Sequence, residues 1–256
     1  MDSKKLIRKL WKMFPLKIAK KYHDYVGLMV SHVHESTNKI VLCLDVSNEV
    51  ISRAIDEKAD LIISHHPFIY GKKKFVLNDP LKKEMYEKLE KANIPVYSFH
   101  TNFDEGKNGM NDALAQKLEL NDIAPINNLP MARKGKLSSS MDVHDFVKYA
   151  LEKLNLDYGQ LLVGEKKIIN MVGILGGAGS REYSFAYEDN CDIYISGDTP
   201  YHIRKEIIEK KLTYLNLDHE VEKIFISQMK KILLSIDETL QIIEVDDVVQ
   251  AEIIIK

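Results

Sequence analysis

Apolar residues along this chain come in short dense runs, separated by stretches in which they recur every three or four positions. The run 39–47 (KIVLCLDVS) predicts a strand, and the segment behind it sets Val50, Ile51, Ala54, Ile55 and Ala59 at helical spacing. The alternation continues with a strand at 60–64 (DLIIS), a helix at 80–93, a strand at 95–99 (PVYSF) and a helix from Asn111. Near-continuous apolar strands alternating with amphipathic helices predict an α/β fold whose largely parallel sheet is covered on both faces.

The stretch 121–140 (NDIAPINNLPMARKGKLSSS) interrupts this rhythm. Its prolines, asparagines, glycine and serines predict a boundary or an exposed connection. A second α/β passage follows, with a helix in MDVHDFVKYALEKLN, strands in KIINMVGILGG and CDIYIS, a helix in YHIRKEIIEKK and a strand in LTYLNL. The closing segments HEVEKIFISQMKKILLS and IIEVDDVVQAEIIIK predict one more helix and a final strand. Both halves share a strand–helix–strand style, which permits two similar lobes.

Composition narrows the class. With 256 residues, 45% hydrophobic and 29% charged, the chain is neither fibrous nor disordered. Lys and Arg number 36 against 38 Asp and Glu, a net charge of −2, so the overall basic footprint of a general nucleic-acid binder is missing. No run approaches the ~20 apolar residues of a membrane span. The basic N-terminal stretch lacks the continuous apolar core of a secretory signal. Cys43 and Cys191 lie inside strand-like runs and read as buried free thiols of a reducing compartment, so a cytoplasmic protein is expected.

Candidate chemistry gathers where strands end. His65-His66 follows Leu61-Ile62-Ile63 and precedes Pro67, which stops the strand. Neighbouring residues on a strand point to opposite faces, so the pair needs a turn to converge. Alone, such a pair reads more readily as a polar strand end than as ligands for zinc, iron, nickel or manganese. The next strand delivers His100-Thr101-Asn102-Phe103-Asp104, where Asp104 adds an anionic oxygen able to bridge two cations. His100 is a ligand, an orienting partner or a substrate contact. A third strand runs into Asp218-His219-Glu220-Val221-Glu222. His219 and Glu222, three apart, share a helix face, and Asp218 is placed to cap that helix. His65, His66, Asp104, His219 and Glu222 together are too many for one catalytic zinc and suit two divalent ions.

Two further segments carry weaker signals. Gly176-Gly177-Ala178-Gly179-Ser180 misses dinucleotide spacing and reads as a tight turn, with an anion cradle as the functional alternative. In Ser196-Gly197-Asp198-Thr199-Pro200-Tyr201-His202, Asp198 or Thr199 is expected to cap a helix begun by Pro200, and His202 is a candidate proton carrier or substrate contact. His23, His32, His34 and His144 lack supporting neighbours, and Gly71-Lys72-Lys73-Lys74 reads as solvated loop.

AKKYHDYVGLMV, ADLIISHHPFIY, FHTNFDEGKNGMNDALAQKL, ISGDTPYH and DHEVEKIF, in this order, resemble the Ngg-interacting-factor-three-like family, also called GTP cyclohydrolase type 2 homologues. The resemblance covers nearly the whole chain, in the short form without the inserted middle domain. Where the family usually carries tryptophan-aspartate-asparagine before glycine, this chain has Tyr22-His23-Asp24-Tyr25-Val26-Gly27. The resemblance implies two α/β lobes, 1–122 with 220–256 and 123–219, and a dinuclear metal centre in the cleft between them. It places the ligands at His65, His66, Asp104, His219 and Glu222, and it implies a toroidal homohexamer. The implied function is a metal-dependent hydrolase, in which metal-activated water attacks a nucleotide-like substrate and His100 or His202 carries protons. The alternatives are a two-metal phosphoesterase and a non-catalytic metal-binding adaptor working through its ring.

Overall fold

The computed structural model describes residues 1–248 and carries eleven strands among them. In chain order they are β1 (Gly27–Val30), β2 (Lys39–Cys43), β3 (Leu61–Ser64), β4 (Val96–Ser98), β5 (Asn121–Ile126), β6 (Leu129–Asp142), β7 (Gln160–Leu162), β8 (Ile168–Ile174), β9 (Ile193–Gly197), β10 (Thr213–Leu217) and β11 (Gln241–Glu244). They form two mixed sheets, ordered β1-β4-β3-β2-β11 and β5-β6-β8-β9-β10-β7. The chain divides into two compact units: Met1–Lys107 with the segment from Phe225 onward, and Asn108–Ile224. Of the expected final strand, β11 is observed; residues 245–248 are not strand, and 249–256 lie outside the described residues.

In the first unit β2, β3, β4 and β11 run parallel, and β1 closes one edge antiparallel to β4. Ile40, Val41, Leu42, Leu61, Ile62 and Ile63 are fully buried, as unbroken apolar strands covered on both faces require. Truncating Ile62 to alanine in this setting costs ~2–5 kcal/mol. The helix Asn48–Asp56 buries Val50, Ile51 and Ala54 but leaves Ile55 exposed. Ser47 Oγ accepts from its Val50 N–H at 3.1 Å, a cap worth ~1 kcal/mol. The helix Pro80–Ala92 starts at the Asp79 cap and stops at Asn93, whose left-handed φ of +54° ends the helical path.

The second unit is built on parallel β8, β9 and β10, with β6 and β7 antiparallel at their flanks and β5 antiparallel to β6. Tyr194 and Tyr214 fill its core, ring centroids 5.8 Å apart. The expected connection at 121–140 is instead the β5–β6 hairpin. Pro125 is tolerated because β5 is an edge strand, where a missing N–H breaks no inner ladder. Asn127 and Asn128 are its turn, with Asn128 at φ +61°. Residues that read as loop signals are thus an edge strand and a two-residue turn. The Arg133 guanidinium, buried on β6, pairs with Asp112 and donates to the Pro130 carbonyl at 2.7 Å.

Candidate metal centre

In the first unit the donors sit beyond the carboxyl ends of β3 and β4, and Asp45, which anchors one of them, beyond that of β2. Backbone bonds carry the ladder beyond β3, since His65 N–H donates to Cys43 O and His66 N–H to Leu44 O. The chain then turns, and Ser64 Oγ donates to His66 O at 2.9 Å while contacting Ser98 Oγ at 2.8 Å. That turn converges the two imidazoles, ring centroids 5.0 Å apart, although neighbouring strand residues would point apart. His100, from the end of β4, joins them, and one ligand nitrogen of each of His65, His66 and His100 lies within 4.8 Å of the others.

Each of these rings is held through Nδ1. His65 Nδ1 donates to the Phe99 carbonyl at 2.9 Å, His66 Nδ1 to Asp45 Oδ1 at 2.9 Å and His100 Nδ1 to Asp24 Oδ2 at 2.8 Å. Carbonyl and carboxylate oxygens only accept, so in the neutral rings the proton is on Nδ1 and Nε2 carries the lone pair. Metal-binding histidines are oriented in this way. Burial opposes ionisation of Asp24, but hydrogen bonds from His100 and Thr101 outweigh it and hold the carboxyl below its ordinary range. The fourth group is Asp104, 7% exposed, whose Oδ1 is 3.5 Å from His65 Nε2. It sits in the short helix Thr101–Glu105, whose neighbour Phe103 is fully buried.

In the second unit, β8, β9 and β10 likewise end in chemistry. His219 and Glu222 lie on a 3-10 turn, His219–Lys223, where residues three apart eclipse, and Nε2 of His219 is 3.0 Å from Glu222 Oε2. Nδ1 of His219 is 2.6 Å from Asp198 Oδ2. The Glu222 hydrogen bond, with Asp198 in support and burial opposing, pushes the His219 pKa up to about 9. The glycine turn after β8 is shaped around this pair. A Cβ on Gly177 would stand 2.2 Å from Glu222 Oε1 and 3.3 Å from His219 Cε1, and its φ is +62°. Gly197 N–H donates to Gly177 O at 2.8 Å, and Gly176 N–H to Asn111 Oδ1 at 2.8 Å, which pins the turn.

Several expectations change here. Asp218 does not cap through its side chain; its carboxylate accepts from Tyr158 O–H. The turn it precedes is 3-10 and not the start of a regular α-helix. Neither Asp198 nor Thr199 caps the helix Tyr201–Glu209, whose N-cap is Pro200. Asp198, with φ +50°, turns to His219, while Thr199 bonds Tyr214 O–H and Asn216. His202 is exposed on that helix and belongs to no metal-competent group among the described residues. The orienting role of Asp24, and Asp45 and Asp198 as partners of the rings, went unread. Asp45 and Asp198 each lie 21 positions from their histidine and Asp24 lies 76 away, so spacing alone could not pair them.

Imidazole and carboxylate donors without thiolate fit a borderline transition ion better than calcium, and the Nδ1 anchors prepare the rings to bind one. Cys43 and Cys191 are buried free thiols. No helix among the described residues is long and apolar enough to cross a membrane.

The sequence pattern of the Duf34/NIF3 (NGG1p interacting factor 3) family matches residues 1–248. A Clostridium perfringens protein named GTP cyclohydrolase 1 type 2 homolog is 33% identical over 205 residues, 77% of either chain. Among solved structures, a Bacillus cereus protein related to NIF3 shares the fold, with a TM-score of 0.87, 20% identity, and coverage of 100% of this chain and 99% of that one. Reduced HcgD from Methanocaldococcus jannaschii matches with a TM-score of 0.80 at 26% identity, over 95% of this chain and 97% of its own. The fold and the sequence agree, and the chain belongs to the Duf34/NIF3 (NGG1p interacting factor 3) family.

Proposed function

We propose that this protein is a metal-dependent hydrolase of a nucleotide-like substrate, with two divalent ions served by His65, His66, Asp104, His219 and Glu222. The observation that carries the proposal is the shared anchoring of the histidines. His65, His66 and His219 each contact an oxygen through Nδ1, which directs Nε2 to ligand duty, and His100 is anchored the same way with Nε2 as its proton-transfer atom. Asp104 and Glu222 supply the anionic oxygens that balance two cations beside neutral rings. The name of the Clostridium perfringens relative supports the substrate class.

Divalent ions held there would polarise a substrate oxygen and lower the pKa of a bound water from ~16 towards ~7. The chain's own residues do the rest. His100 takes or returns a proton at Nε2 while Asp24 keeps the opposite nitrogen protonated, the arrangement by which a carboxylate orients a catalytic imidazole. His202, exposed at a helix start, is the second proton carrier proposed. Family resemblance supports a homohexameric ring, and the two buried thiols support a cytoplasmic setting.

The test is elemental analysis of purified protein together with turnover of a nucleotide panel. Up to two divalent ions per chain are expected, lost in the double variant His65→Ala/His66→Ala, along with hydrolysis that stops on EDTA treatment. Full metal occupancy in the double variant would refute the ligand assignment. Bound metal without turnover of any nucleotide or phosphoester would favour the adaptor role.

A further inference from the structure

Tyr25 and Tyr70 form an edge-to-face pair, ring centroids 5.3 Å apart and planes at 65°. Both rings are open to solvent, with 42% and 63% of the residue surface exposed. Their supports, by contrast, are buried or hydrogen-bonded. Phe68 and Ile69, 2% and 6% exposed, fasten the loop between His66 and Tyr70 into the hydrophobic core. Tyr25 N–H donates to Asp24 Oδ1 at 2.8 Å, and the other oxygen of that carboxylate accepts from His100 Nδ1. The pair is therefore built into the same framework that carries His66 and His100.

The chain beyond Tyr70 adds charge. Gly71 adopts φ +111° with nothing within 4 Å of where a Cβ would stand, and exposed Lys72, Lys73 and Lys74 follow. Lys73 lies over the Tyr86 ring and Lys74 over the Phe75 ring, and Lys72 is the lysine nearest Tyr70 in sequence. A fixed, solvent-facing aromatic surface beside a cationic segment matches a planar ring that bears negative charge.

We propose that Tyr25 and Tyr70 are the stacking platform for the base of a nucleoside phosphate, with the Lys72–Lys74 segment meeting its phosphates. For the reaction this rests on the hydrolase reading above; the binding step is separate from it. Stacking on an aromatic side chain tolerates any base because every base has a π face. The site would thus select for a charged aromatic molecule before it selected for a particular base.

The experiment is isothermal titration of metal-free protein with GTP, with guanosine and inorganic triphosphate as the two halves of the probe. GTP is expected to bind more tightly than either half. Tyr25→Ala or Tyr70→Ala should weaken GTP and guanosine roughly tenfold and leave triphosphate unaffected. Tyr70→Phe should retain binding, and Lys72→Ala/Lys74→Ala should weaken GTP and triphosphate but not guanosine. Metal content should be unchanged in the tyrosine variants, which separates platform from metal centre. Wild-type protein that binds neither GTP nor guanosine overturns the platform and leaves the metal assignment to elemental analysis. Nucleotide binding by protein that takes up no divalent ion when metal is added back sustains the platform and removes the hydrolase. Unchanged GTP affinity in Tyr25→Ala/Tyr70→Ala overturns the proposal. So does a changed oligomeric mass in that variant, which would make the pair a contact between copies.

Discussion

His219 Nδ1 lies 2.6 Å from Oδ2 of Asp198, so a residue from the turn after β9 orients the ring that follows β10. With Glu222 on the other ring nitrogen, the His219 pKa rises to about 9. That exceeds the ~6.5 of an unfolded histidine. The pairing therefore contributes its full stability below pH ~6.5 and loses it as pH rises through about 9. Metal-free protein should show a fall in melting temperature from pH 7 to pH 10 that is smaller in Glu222→Gln. At pH 7.5 the ring is protonated, so a cation at Nε2 displaces that proton. Calorimetric metal titrations in buffers of different ionisation enthalpy should report about one more proton released by wild type than by His219→Asn. Equal release would take His219 out of the ligand set.

Asp218 stands beside His219 in sequence but spends its carboxylate on Tyr158. Asp218→Asn keeps an acceptor for that hydroxyl and should retain full metal. Glu222→Gln removes an anionic ligand and should weaken at least one ion by tenfold or more. Asp104→Asn should lose more, both ions if Asp104 bridges them. Metal lost in Asp218→Asn and kept in Glu222→Gln would reverse the assignment.

Gly177→Ala imposes two separable burdens. A left-handed φ costs a non-glycine residue ~1–2 kcal/mol, and the new methyl would overlap Glu222. A lowered melting temperature and weakened metal binding are expected together. In the double variant Gly177→Ala/Glu222→Ala the overlap is gone, so the combined stability loss should be smaller than the sum of the two single losses. Strict additivity would mean that only the backbone angle matters at this position.

If the ring assembly holds, light scattering of purified protein should give a mass near six times that of one chain. Closed symmetric assemblies leave no surface for indefinite growth. A stable monomer at micromolar concentration would refute the hexamer and weaken the adaptor alternative with it.

The parallel strands were legible because burial on both faces demands unbroken apolar runs, as in Leu61-Ile62-Ile63 and Ile193-Tyr194-Ile195. The candidate donors could be named from sequence because three strand-like runs each lead into histidine, two of them with a carboxylate three or four residues beyond. What escaped was whatever depends on distant pairing. The carboxylates of Asp24, Asp45 and Asp198 look like ordinary turn residues until the fold carries each to its ring. The β5–β6 hairpin escaped for a different reason: proline and asparagine are loop formers in general, yet an edge strand and a left-handed turn accept both. The 3-10 turn at His219–Lys223 leaves the same three-residue spacing as an α-helix and cannot be told from one by pattern.

The first unit is assembled from two separated stretches of chain, and β2 receives β11 as its parallel neighbour, Gln241 opposite Lys39 and Glu244 opposite Leu42. This sets an order of events on the ribosome. The unit that begins at Met1 cannot finish its sheet until residues 241–244 have emerged, whereas the contiguous Asn108–Ile224 unit has its last strand, Thr213–Leu217, before then. Roughly 200 residues separate β2 from β11, on the order of 10–40 s of translation at ~5–20 residues per second. For that interval the nascent chain presents one side of an apolar strand, Ile40 to Cys43, with its backbone donors and acceptors unpaired on that edge. The half of the protein made first is the half completed last, and a holdase that shields β2 during synthesis would cover that open edge.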